Sequence, residues 1–220
     1  MTVLAPLHFA DPREAAALAA FLGRLVHYDR AAAVRLQAGG GALAVFGRPP
    51  SFEVLAIRTA RLEDAVDLDV TVSAGELLDG VEETAGKAVV PGAVTGPPWA
   101  GVLPPRTGWR PVEGLPGAGE LRGAVAAAVA EFRRRDEELP EERRTRAERD
   151  RVGREIWSRV LGTTGLPLRA VHAAQSLGFL PPGDLPVALM AAGPWLRLRT
   201  PYGSVALRTA PSGLTVTPAP

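Results

Sequence analysis

The chain has 220 residues, of which 46% are hydrophobic and 22% charged, and its formal net charge is +1. That is the balance of a globular protein long enough for a real core, and a near-zero charge gives no global field to draw nucleic acid or anionic lipid. The absence of cysteine excludes disulfides, thiolate nucleophiles, zinc fingers and iron–sulfur clusters.

Elements follow in chain order. Met1–Leu7 has neither a basic n-region nor a sustained apolar stretch, so no signal peptide is expected. Asp11-Pro12-Arg13-Glu14 reads as a capped helix start. Leu18, Phe21, Leu22 and Leu25 then fall on one helical face. Strands are expected at Val34–Gln37, Ala42–Phe46 and Phe52–Thr59, with a turn at Gly39-Gly40-Gly41 and a break at Arg48-Pro49-Pro50-Ser51. Val66–Val72 alternates strictly and reads as a fourth strand. Ser73 and Glu76 open a short helix over Ala74–Glu83.

From Thr84 to Ala118, Gly and Pro fill 14 of 35 positions. A structureless loop of that length is uncommon inside a compact domain, so it connects two halves or hides short strands such as Ala88–Val94. Trp99 and Trp109 argue against a purely solvated linker, because each has a large apolar area to bury. One helix is expected from Gly119 to about Leu139, where Pro140 stops it, and a second from about Glu141 to Leu161. A third covers Leu168–Leu177 and ends at Gly178. Leu185–Ala192 is ambiguous between helix and strand. Trp195–Arg199 and Ser204–Arg208 flank a turn and read as a small antiparallel meander, to which Leu214–Thr217 adds a strand.

The expected fold class is therefore α+β: an N-terminal helix, a four-stranded antiparallel sheet and a helix, then a helical segment ending in a β-meander. The divisions expected are residues 1–85, a Pro/Gly/Trp-rich connection at 86–118, and 119–220, with the outer two packed as one body or separate. The longest apolar runs, Ala124–Ala130 and Leu185–Ala192, fall short of the ~20 residues of a membrane span, and a cytoplasmic protein is expected.

Chemistry-bearing constellations are few. The three histidines, His8, His27 and His172, have no metal-ligand spacing. Asp67 and Asp69 share a strand face, which reads as a solvated face before it reads as a cation site. The glycine run lacks the Gly-Lys-Ser/Thr of a phosphate loop, and no Gly-x-Ser-x-Gly occurs. Glu131–Arg159 carries ten Arg against nine acids, the pattern of exposed helices laced with ion pairs. No cofactor or metal is indicated, and an enzyme is the minority reading.

Three functional readings follow. The first is a non-enzymatic protein-binding or scaffold protein, as a homodimer or with another partner, contacting it through Trp99 and Trp109. The second is DNA binding by a winged-helix-like C-terminal half. It places Arg169 and His172 on a recognition helix and Arg197, Arg199 and Arg208 on a wing. The third is a small-molecule-binding protein or an enzyme without a recognisable motif.

Only Lys87 among the 25 basic residues is lysine, asparagine is absent, and Ala reaches 37. This is the coding bias of a GC-rich genome. With runs such as Pro98-Trp99-Ala100-Gly101-Val102-Leu103-Pro104-Pro105, the chain resembles uncharacterised proteins of high-GC actinobacteria. That resemblance implies no activity, cofactor or site.

Overall fold

The structure, a computed structural model, describes residues 6–209. The chain opens with a short strand β1 (Leu7–His8) and helix α1 (Pro12–Tyr28). Asp11 caps α1 by accepting from the Arg13 N–H, and α1 buries Leu18, Phe21, Leu22 and Leu25. Four antiparallel strands follow: β2 (Ala33–Gly39), β3 (Ala42–Gly47), β4 (Leu55–Arg61) and β5 (Leu68–Ser73). Gly40 and Gly41 take the positive φ that the β2–β3 turn requires.

Helix α2 (Ala74–Asp79), capped by Ser73, is shorter than expected. The Gly80 carbonyl accepts from the Val89 N–H at 2.9 Å and not from the next helical turn, and the close approach leaves no room for a Cβ at Gly80. The chain turns instead into β6 (Val81–Glu82) and β7 (Lys87–Ala88), and β7 pairs with both β6 and β1 in a three-stranded sheet.

After a single 3-10 turn at Pro98–Gly101 come β8 (Arg110–Val112) and α3 (Ala118–Glu137). Glu120 reaches back to the Gly117 N–H at 3.1 Å. The second long helix begins later than expected. Pro140 starts only a 3-10 turn at Glu141–Arg143, and α4 (Arg146–Trp157) begins where the Thr145 hydroxyl accepts from the Glu148 N–H. Helix α5 (Leu168–Ser176) ends before Gly178, whose φ is +76°. The ambiguous run resolves as β9 (Ala188–Ala192), followed by β10 (Trp195–Thr200) and β11 (Gly203–Arg208). The strand expected at Leu214–Thr217 lies outside the described residues.

The fold is α+β, with helices and largely antiparallel sheets. Its central feature is one eight-stranded sheet in the order β5-β2-β3-β4-β11-β10-β9-β8. The two meanders, β2-β3-β4 and β9-β10-β11, meet at its centre, where β4 pairs antiparallel with β11 through Ile57↔Ser204, Ala56↔Val205 and Leu55↔Ala206. The hairpin of β10 and β11 is therefore interior to the sheet, and not the free wing of the DNA-binding reading.

Side-chain alternation gives the sheet two unlike faces. Val34, Leu36, Val45, Ala56, Leu198 and Val205 point into the main core with α1, α3 and α5. Phe46, Leu55, Ile57, Trp195 and Ala206 form a smaller cluster on the other face. The connecting segment covers that face. The Val94 N–H bonds to the Thr71 carbonyl on edge strand β5, whereas Arg110 already pairs with β9 at the opposite edge. Residues 94–110 thus strap across the whole sheet. Seven strand spacings of about 4.8 Å make roughly 34 Å, well within the reach of such a segment.

Candidate functional site

The strap is pinned by aromatic side chains. Trp99, Leu103 and Trp109 are half-buried against the smaller cluster. The Trp109 indole N–H donates to the Pro105 carbonyl at 2.8 Å, and the Arg197 guanidinium stands 5.7 Å over the Trp109 ring. Both tryptophans of the connecting segment therefore bury part of their area on their own sheet and leave part in solvent.

Clefts open on either side of the strap. One, of about 410 Å³, is walled by Trp99 and Trp195 and edged by Arg48, Arg169 and Arg208, with Glu53 the one acid in its lining. It lies where the two meanders join, because Leu55 of β4 and Ala206 of β11 form its floor. The other, of about 310 Å³, lies between the sheet and Pro104–Arg106 and is lined by Gln37, Thr59 and Arg197 among others. Arg106 reaches across it to the Gln37 side-chain carbonyl at 3.3 Å.

The arginines of the DNA-binding reading separate into different roles. Arg197 and Arg199 share the strap face with Trp195 by strand alternation, and Arg208, paired directly with Trp195, shares it too. Arg197 is committed locally: its Nε donates to the Ser204 hydroxyl at 2.8 Å. Burial and the neighbouring Arg199 charge lower its proton affinity from the ordinary arginine range. Arg208 sits 6.0 Å over the Trp195 ring. Arg169, on α5, faces Glu53 at 3.6 Å and edges the larger cleft.

His172 is placed elsewhere. Its ring stacks on Trp157 of α4 and meets the edge of Phe52, and burial lowers its pKa below the usual histidine value. Ser176, one turn on, lines a separate shallow groove with His27 and Tyr28.

Asp69 is held by Arg35 of the adjacent strand β2, whose Nε donates to it at 2.7 Å, and by Gln37. The Arg35 hydrogen bond is the main reason its pKa lies below the ordinary carboxylate value. Among the described residues, no group of three or more His, Asp or Glu is placed to hold a metal ion. No helix among them is long and apolar enough to cross a membrane. The charged helices carry pairs one turn apart, such as Arg151 on Glu148, and are also bridged to each other by Arg159 on Glu131, Arg135 on Glu155 and Arg149 on Asp136.

Sequence reasoning missed Arg48, Glu53 and Trp195 as members of the larger cleft. Arg48-Pro49-Pro50-Ser51 reads only as a strand break, and nothing local in it signals that Arg48 lines the same cleft as Arg208 of β11.

Two family models match the chain back to back. Domain of unknown function DUF8010 covers residues 3–101, and domain of unknown function DUF8185 covers residues 104–212. Each match takes up just under half of the chain. The two matches meet inside the strap, between the 3-10 turn and Pro104. No functionally curated protein matches the sequence.

Among solved structures, a DNA polymerase sliding clamp from Pseudomonas aeruginosa is similar, with a TM-score of 0.52 at 11% identity over 96% of this chain and 66% of that one. A second structure of such a clamp from the same organism, with ligand, gives 0.49 at 15% identity over 90% and 63%. The chain thus spans just under two thirds of the clamp's length in the first. At that identity the likeness concerns the fold alone.

Proposed function

We propose that this chain is a non-enzymatic scaffold that binds a protein partner on the strap-crossed face of its sheet. The observation that carries this reading is the half-exposure of Trp99 and Trp109, each seated on the sheet beside a cleft. Aromatic side chains pre-positioned on a supported surface lose little entropy on binding and are enriched among residues that dominate interface energies. The fold likeness to sliding clamps is compatible with a scaffold and identifies no partner. DNA binding is the weaker reading, because the β10–β11 hairpin is interior to the sheet, Arg197 is bonded to Ser204 and His172 is stacked on Trp157.

Site-specific photocrosslinking in cells that make the protein tests this. A photoreactive residue at Val102, which is exposed on the strap, is expected to give a discrete protein adduct. One at Arg146, exposed on α4 away from the strap face, is expected to give none. An adduct at twice the chain mass makes the partner a second copy. No adduct from Val102, or equal adducts from both positions, overturns the proposal.

A further inference from the structure

The larger cleft has a chemistry of its own. Three guanidinium groups, from Arg48, Arg169 and Arg208, face one carboxylate, Glu53, so its rim carries excess positive charge. Trp99 and the largely buried Trp195 are part of its lining. A volume of about 410 Å³ falls in the range of small-molecule sites.

Arg169 makes the site specific. Its Nε is buried and has no hydrogen-bond partner, which is costly for a charged donor. The nearest acid, Glu53, stands 3.6 Å away, beyond hydrogen-bonding distance, with its own side chain 72% exposed. Glu53 also holds a φ of +54°, and Ser51 one of +69°, a left-handed conformation uncommon for residues other than glycine. Phe52 lies between them, 8% exposed, and packs on the His172 ring. The β3–β4 loop is thus bent around a buried phenylalanine so that a loosely held carboxylate stands at the mouth of an arginine-edged cleft.

We propose that this cleft binds a small aromatic carboxylate. Its ring lies between Trp99 and Trp195, and its carboxylate takes the place of Glu53 beside Arg169, with Arg48 and Arg208 completing the cationic rim. Carboxylates fit the planar fork of guanidinium groups, and indole faces favour flat rings. Glu53 acts as the internal occupant: exposed and not hydrogen-bonded to Arg169, it yields readily to a better-seated carboxylate. The proposal shares Trp99 and Val102 with the partner reading, but its test uses a small molecule and the purified chain alone, so the two fail separately.

Calorimetric titration of the purified protein with 1-naphthoate and with its neutral isostere 1-naphthamide tests it. Saturable one-to-one binding of the naphthoate is expected, with the amide at least tenfold weaker. Glu53→Gln removes the competing carboxylate from an exposed position and is expected to tighten naphthoate binding at least threefold. Arg169→Gln is expected to weaken it at least tenfold, and Arg208→Gln provides a second loss of charge should Arg169→Gln lower the melting temperature. No binding, equal binding of acid and amide, or no tightening in Glu53→Gln overturns the proposal. Tighter binding of 1-naphthyl phosphate than of 1-naphthoate overturns the carboxylate assignment. Loss of the Val102 adduct with naphthoate binding intact would count against the partner reading alone.

Discussion

The imidazole of His172 lies nearly flat on the indole of Trp157, with ring centroids 4.2 Å apart and planes 21° from parallel. The edge of Phe52 closes another side at 5.1 Å. Burial among these rings disfavours the imidazolium and lowers the pKa of His172 from its ordinary 6.5. The sign of the pH effect follows. Above the unfolded-state value the residue is neutral in both states and contributes no pH dependence. As pH falls through about 6.5, the unfolded chain takes up a proton that the folded chain resists, so stability drops until the folded-state pKa is passed. Urea unfolding of the wild type between about pH 8 and pH 5 is expected to show this loss. His172→Gln is expected to flatten it, and parallel curves for the two proteins would refute the assignment.

Arg58 ties three elements together. From β4 its Nη2 meets Glu14 of α1 at 3.2 Å, and its Nη1 donates to the Tyr202 carbonyl in the β10–β11 turn. The Arg58 side chain is 13% exposed, so removing Glu14 leaves a largely buried cation short of a partner. Glu14→Ala is expected to cost about 1–3 kcal/mol. Arg58→Met with Glu14→Ala is expected to cost less than the sum of the single changes, because the stranded charge is gone. Denaturant titration of the four proteins measures the coupling.

Gly203 has no room for a side chain. A Cβ there would lie 2.6–2.7 Å from the ring of Phe179, which is itself buried. Gly203→Ala is expected to push the ring out of its place and to destabilise the fold by about 1–3 kcal/mol. The loss shows as a lower urea midpoint at unchanged slope. Phe179→Leu in the same background is expected to recover part of it by giving up the crowded ring atoms.

The strap is held by few contacts, and Trp109 supplies several of them. Trp109→Ala removes the indole under Arg197 and the hydrogen bond to the Pro105 carbonyl. The strap should then lift locally while the main core, on the opposite face, stays intact. Limited trypsin digestion is expected to cut faster after Arg106 in this variant, with little change in melting temperature. Equal cutting rates would mean that Trp99 and Leu103 hold the strap without it.

Much of the local structure is legible in the sequence. Asp11 and Ser73 cap the helices they precede, Val66–Val72 alternates as the edge strand β5 does, and Gly178 stands just past α5. Misjudged boundaries have local causes that depend on distant backbone, such as Val89 against Gly80. The candidate site was much less legible. Trp99 and Trp109 stand out by composition, but Arg48, Glu53 and Trp195 join the cleft only because strands far apart in sequence lie side by side.

By itself the sequence determined the types of the longer elements other than Leu185–Ala192, the absence of thiol chemistry, and the apolar side of alternating strands such as β5, because caps and side-chain periods act over a few residues. Only the tertiary structure decided that β4 pairs with β11, making one sheet of two meanders, and that the Pro/Gly segment crosses it as a strap. Backbone hydrogen bonds between strands are nearly blind to side-chain identity. Alternation therefore tells a strand which face to bury but not which neighbour to take. The cleft follows from that pairing, since its floor is Leu55 beside Ala206 and its cations come from β3's end, α5 and β11.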